Sequence, residues 1–416
     1  MNPPARPVTP LASADYSAPS QPATASIHQA PIAQRIDWLF DLAQRHGEAF
    51  RGPETWLERQ RYRAQHPSAI AALMCMDGRV NLALATQLPA GIITPFRNLG
   101  GMFNLGWPYL SQLLSDYVNT QTQSGRRVLL LITYHWSRGE RKRGCAGFRF
   151  RRDDSLAHAW AIHEQVSQLF GPAHQSVYPL VCGFETDEEA LLLHGPAGEI
   201  LDLAAFSGPS APSAPSPPQT CTGPTDRTLP SGRAEPATNQ PAEARTEPDA
   251  LALEAQLVRV LPGLPRPVRA DLLPLLLGNL AHIAAVRAQP ARELVIEHRE
   301  WVLCLGRGFD FLHTPNLALI IGPYSPDLAQ PIRTAAGIIR SNMQAGRIPA
   351  DGFLLLTSMP YENQGVERAG AELRARFLAH FATQVITEAH PDLVPLMHRR
   401  CAVLDWPARR LELLPD

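Results

Sequence analysis

Two apolar runs of this sequence end in side chains that bind metals or move protons. The first, LMCMDGRV (73–80), places Cys75, Asp77 and Arg79 two residues apart. The second, LLLITYHWSRGERKRGCAGF (129–148), breaks into His135 and then Cys145. Two thiolates and one imidazole make a three-ligand set for zinc that leaves one position open for water or substrate. Sulfur ligands favour such a metal over harder cations. The spacing alone does not decide this, because the chain has no CxxC or HExxH signature. The other reading keeps Cys75 as a small buried hydrophobe, His135 as a strand-end group and Cys145 as an exposed thiol. Asp77 and Arg79 add chemistry of their own. A bidentate arginine–carboxylate pair orients the acid and keeps it ionised, so that beside a metal it can accept a hydrogen bond from a bound water. The alternative is a structural ion pair in a turn.

These groups need strands to bring them together. In residues 66–206, short apolar runs (IAALMCM, GIITPF, RRVLLLITYH, VYPLVCGF) alternate with helical patterns (WPYLSQLLSDYVNTQTQ, SLAHAWAIHEQVSQLF). That alternation predicts an α/β fold with a parallel sheet buried on both faces. Ligands of open parallel sheets bind at the carboxyl ends of the strands, where Cys75 and His135 should both emerge. Helical periodicity ahead of the sheet predicts short N-terminal helices within 31–65. Residues 1–30 and 207–248 are rich in Pro, Ala and Ser, and read as a disordered leader and linker. Beyond the linker, 249–416 repeats the strand–helix theme. Setting Gly78 on Gly308, and VLLLITYHW on FLLLTSMPY, puts Leu305, Arg307, Phe309 and Pro360 at the places of Cys75, Asp77, Arg79 and His135. The second block is thus expected to be a copy without the reactive groups.

Composition narrows the function classes. The 416 residues carry a net charge of −1 and are 45% hydrophobic, which suits a globular chain of more than one domain. Near-zero charge argues against a nucleic-acid footprint, and no membrane span is expected from the apolar runs. The N-terminal stretch has no apolar h-region, so no secretory signal is expected and the cytoplasm is the expected compartment. Six cysteines over this length form no dense disulfide framework.

The combination of motifs resembles the carboxysome shell carbonic anhydrases, a divergent β-class family. Cys75-Met76-Asp77-Gly78-Arg79 matches its Cys-x-Asp-Gly-Arg motif. Cys145-Ala146-Gly147-Phe148 matches the stretch holding its distal ligand, and His135 stands where its histidine ligand does. FRNLGG (96–101) and VCGFETDEEALLLHG resemble further stretches of the family. LLLGNLAHIAAVR and GRGFDFLHTPNLALI resemble its degenerate C-terminal domain. The resemblance covers roughly 66–206 and 270–365. It implies one Zn2+ per chain held by Cys75, His135 and Cys145. It also implies reversible hydration of CO2 to bicarbonate by zinc-bound hydroxide, with Asp77 and Arg79 as the catalytic dyad. A homodimer, contact with a carboxysome shell or Rubisco, and residence inside a carboxysome follow from the same resemblance, although only about 70 residues precede Cys75. Two alternatives accompany it: a non-catalytic zinc or scaffold protein closed by Asp77 as fourth ligand, and a β-class relative acting on CS2 or COS.

The remaining reactive residues have plainer readings. His158 and His163 are expected to be surface histidines, Cys182 core, and Cys221 an exposed thiol. RGERKRG (138–144) reads as a solvated loop. GRGF (306–309) lacks the spacing and lysine of a P-loop.

Overall fold

The computed structural model describes residues 27–171, 176–206, 243–289 and 297–415. Most of the expected leader and linker, and Cys221 with them, lie outside the described residues. Ile27–Ala30 already form a turn, with His28 buried, and the chain resumes at Glu243 as a helix, inside the stretch read as linker.

Two helices come first, α1 (Ile32–Arg51) and α2 (Pro53–Gln65), with Pro53 at the first turn of α2, where its missing N–H costs nothing. Then follow β1 (Ala69–Cys75), the short α3 (Leu82–Ala85), β2 (Ile93–Asn98), α4 (Pro108–Gln123), β3 (Val128–Trp136), α5 (Arg152–Phe170), β4 (Val177–Glu185), β5 (Ala190–His194) and β6 (Ile200–Asp202). The sheet order is β2-β1-β3-β4-β5-β6. Strands β1 to β4 are parallel, whereas β5 and β6 run antiparallel, so the sheet is mixed rather than wholly parallel.

The two-residue period of β1 sorts its side chains between two cores. Ala69, Ala71 and Leu73 pack with Leu110, Leu114 and Val118 of α4 and with Ala159, Ile162 and Val166 of α5. Ile70, Ala72 and Met74 pack against α1 and the second half of the chain. Both faces are therefore buried, which is why the strand reads as a continuous apolar run.

The second half consists of α6 (Glu243–Val260), α7 (Arg266–Ala288), β7 (Val302–Gly306), β8 (Ala318–Ile321), α8 (Ala329–Gln344), β9 (Phe353–Tyr361), α9 (Val366–Ala389), β10 (Met397–Asp405) and β11 (Arg410–Leu413). Its sheet runs β11-β10-β9-β7-β8, with β11 antiparallel. The halves join where Ile320 N–H donates to the Met76 carbonyl (2.9 Å) and Gly322 N–H to that of Arg97 (2.7 Å). Helix α7 ties them again. Its 23 residues and mean hydropathy of 1.2 make it long and apolar enough for a bilayer, contrary to the sequence expectation. Yet buried Asn279 bonds Ala85, Glu189 and Leu191, and buried Asp271 bonds Ser68. Those partners make α7 an internal brace of the two halves.

The ladders revise the sequence match. Ile70 lies opposite Leu129 and Val302 opposite Leu354. With β3 set on β9 residue for residue, Val302 takes the place of Ile70. Arg307, Phe309 and Phe311 then stand where Cys75, Asp77 and Arg79 stand, a register two residues from the one read off the glycines.

Candidate metal centre

Adjacent strands deliver the first two ligand candidates. Cys75 closes β1 and His135 lies near the end of β3, its parallel neighbour, so both reach the same sheet edge. Cys145 must return from a loop, and glycine makes that return close. A Cβ on Gly147 would sit 2.8 Å from the Gly100 Cα, and Gly100 and Gly101 both take a φ of 66°. The Cys145 loop can thus lie backbone on backbone against the turn after β2. The basic run ahead of it is tethered. Arg138 pairs with Asp202 (2.7 Å) and Arg143 with Glu297 (3.2 Å).

The structure brings Cys75, His135 and Cys145 together, all buried, with their donor atoms within 4.8 Å of one another. Both ring nitrogens of His135 are buried without a hydrogen-bond partner among the described residues. An imidazole whose buried neighbours are the Cys75 thiol and, at 3.9 Å, the Asp77 carboxylate suits a coordinated cation better than a closed polar core. Burial and the neighbouring Cys145 push the Cys75 thiol well up. The hydrogen bond from Cys75, reinforced by the Phe148 and Gly147 amides, draws Cys145 down against the effect of burial. Burial disfavours the imidazolium of His135, but the adjacent Cys75 outweighs it and raises that group.

Asp77 and Arg79 form the pair read from sequence. Arg79 donates to Asp77 through Nη2 (2.7 Å), Nε (3.1 Å) and its own backbone N–H (2.9 Å). Burial opposes ionisation of Asp77, yet Arg79, His298 and His135 together hold the carboxyl well below the usual range. Its Oδ2 lies 3.9 Å from His135 Nε2.

Three residues escaped the sequence reading. Arg97, buried on β2, donates to the carbonyls of Cys75 (3.0 Å), Asp77 (3.3 Å) and Val80 (2.7 Å), and so clamps the turn that presents the dyad. His298 and Glu300 come from the second half, with donor atoms within 4.8 Å of Asp77. Their own contact is 3.1 Å, and Asn342 donates to the Glu300 carboxylate at 3.2 Å. A His-x-Glu pair just ahead of β7 was the available signal. His158 and His163 are half-buried rather than surface groups. His158 Nε2 accepts from the Phe103 N–H at 3.3 Å and thereby fixes the loop after Gly101. Cys182 is fully buried.

No protein-family model matches the chain, and no curated protein matches it in sequence. Among solved structures it is similar to the β-carbonic anhydrase CcaA, at 14% identity over 37% of this chain and 87% of that one, with a TM-score of 0.25.

Proposed function

We propose that this chain is a zinc-dependent carbonic anhydrase that catalyses the reversible hydration of CO2 to bicarbonate. The observation that carries the reading is the convergence of Cys75, His135 and Cys145 beside an arginine-clamped aspartate at one sheet edge. Those three residues would hold the ion. When bound, Zn2+ supplies the Lewis acidity that makes water nucleophilic near neutral pH, an effect for which carbonic anhydrase is itself the standard case.

The chain's own groups do the rest. Asp77 is held ionised, so its carboxylate can accept a hydrogen bond from water at the site and fix the orientation of that water. Arg79 fixes the carboxylate, and Arg97 fixes the backbone that bears it. His298, paired with Glu300, offers a second imidazole beside Asp77 for proton traffic. The intact Arg79 clamp favours an open site over one closed by Asp77 as fourth ligand.

We read the second sheet as a degenerate copy of the first. The shared strand order supports this, and arginine, phenylalanines and proline stand at the places of the reactive groups. The β-carbonic-anhydrase-like assignment of the fold, homodimerisation, contact with a carboxysome shell or Rubisco, and residence in that compartment belong to the same proposal. They rest on the motif resemblance.

Stopped-flow CO2 hydration on reduced, zinc-replete protein tests the reading, with His135→Ala alongside. Two thiolates leave the donor set formally neutral with the ion, so hydration should be faster at about pH 8.5 than at about pH 7. His135→Ala should lose both the zinc and the activity. Zinc-loaded protein that hydrates no CO2 at either pH would sink the proposal.

A further inference from the structure

A cavity of about 220 Å3 opens beside the amino half of β4. It lies away from the metal edge, since residues 177–181 run opposite the start of β3, whereas His135 stands opposite Phe184. Trp160, His163 and Ser167 of α5 form one wall, and residues 177–181 form the next. His194 joins them from the end of β5. Leu261 and Leu264, from the loop between α6 and α7, bring in the second half of the chain. Strand β5 pairs with β4 only from Cys182 onward, so among the described residues no strand lies beside 177–181 on that side. A Cβ on Gly195 would collide with the Val260 carbonyl, so the turn after β5 and the end of α6 meet main chain on main chain and hold the walls together. Exposed Pro196 and Gly263 mark the mouth.

The lining is mostly apolar, with two imidazoles set into it. An apolar cavity of roughly 150 Å3 stays dry and takes up a benzene ring, so this one has room for a single ring or a small fused pair. The Trp160 ring stands edge-on to both imidazoles, at 66° and 5.1 Å from His163 and at 73° and 6.4 Å from His194. A planar guest can extend such a set by offset or edge contact. His194 spends its Nε2 on the Tyr134 hydroxyl at 2.8 Å. His163 is different. Its ring bonds the Pro179 carbonyl, a contact in which the ring must donate, and burial disfavours its imidazolium. A neutral imidazole that donates from one nitrogen accepts at the other. Aromatic walls and one acceptor are thus combined in one cavity.

We propose that this cavity binds a small planar heteroaromatic molecule of the indole type, whose ring N–H donates to His163 and whose face or edge lies against Trp160. Mostly apolar pockets with a few placed polar groups are where small molecules bind. Drug-sized ligands fill about 300–1,000 Å3, so the volume restricts the guest to one or two rings. Charge restricts it too. No carboxylate, lysine or arginine lines the walls, and an ionised guest would lose its water without gaining a partner. The guest bridges the first sheet and the α6–α7 loop. The inference does not rest on the carbonic anhydrase reading, because no ligand candidate of the metal centre lines the cavity.

The test is calorimetric titration of the full chain with indole and with indene, the hydrocarbon of the same shape without the N–H, with saturation-transfer NMR on the same solutions. Saturable binding of indole, with indene weaker by about fivefold or more, supports the site. Ser167→Trp sets a large side chain into the cavity and should weaken indole about tenfold or more. Should that variant fail to fold, Gly263→Trp makes the same comparison from the mouth, where a Cβ meets nothing within 4 Å. His163→Phe keeps a ring but removes the acceptor, so indole and indene should then bind alike. Absence of saturable binding, equal affinity of the wild type for indole and indene, or an indole affinity unmoved by the plugging substitution would overturn the inference. So would an indole preference that survives His163→Phe. His135→Ala should bind indole as the wild type does; loss of binding there would place the ring at the metal centre and overturn the inference as well.

Discussion

Replacing Asp77 with asparagine probes the dyad with little change of shape. The pair is inside the protein, with side chains 8% and 1% exposed for Asp77 and Arg79. Breaking a buried ion pair by removing one partner costs about 3–5 kcal/mol, chiefly through the charge left behind. Two contacts place Asp77→Asn at the lower end, near about 3 kcal/mol. The new amide oxygen can still accept the Arg79 backbone N–H now at 2.9 Å, and Glu300 adds negative charge near the guanidinium. The metal ligands are untouched, so zinc should stay at one per chain. Hydration should fall by about 10²-fold or more, the value of a positioned proton acceptor. Urea unfolding, metal analysis and stopped-flow hydration on one preparation read all three quantities. Wild-type turnover in a folded, zinc-loaded variant would refute the role given to Asp77. Loss of zinc would make Asp77 a ligand, and lost turnover without lost stability would refute the electrostatic argument.

Two further outcomes follow from the same geometry. Gly78→Ala would set a Cβ 2.7 Å from the Ala318 carbonyl, a main-chain atom with little room to yield. It should cost about 1–3 kcal/mol and lower Tm by several degrees in differential scanning fluorimetry; an unchanged Tm would refute the close approach of the halves. Burial, then Arg152, lowers the His194 pKa to about 4, and its Nε2 shares a hydrogen bond with the Tyr134 hydroxyl at 2.8 Å. The unfolded chain therefore binds this proton first, and stability falls as pH drops from about 6.5 toward about 4. The gap is worth roughly 3 kcal/mol at most. His194→Gln should remove part of the stability lost between about pH 7 and about pH 5 in urea unfolding. An identical pH dependence in the variant would show that another group carries it.

The apolar runs and their endings were legible in the sequence because strand burial and strand-end chemistry are local. A run buried on both faces is apolar throughout, and Cys75, Asp77, Arg79 and His135 sit where β1 and β3 give out. The glycines that let the Cys145 loop close were visible as LGG and CAGF, though their purpose was not. Tertiary structure decided what crosses between the halves. His298 and Glu300 reach Asp77 from more than 200 residues away in sequence, and nothing local marks such a pair as facing an aspartate. Arg97 looks like any strand arginine until the turn it clamps is folded around it. The two-residue change in register has the same origin. Matching glycines aligns loops, whereas the ladders align strands, and strand register is fixed by packing against neighbours the sequence does not name.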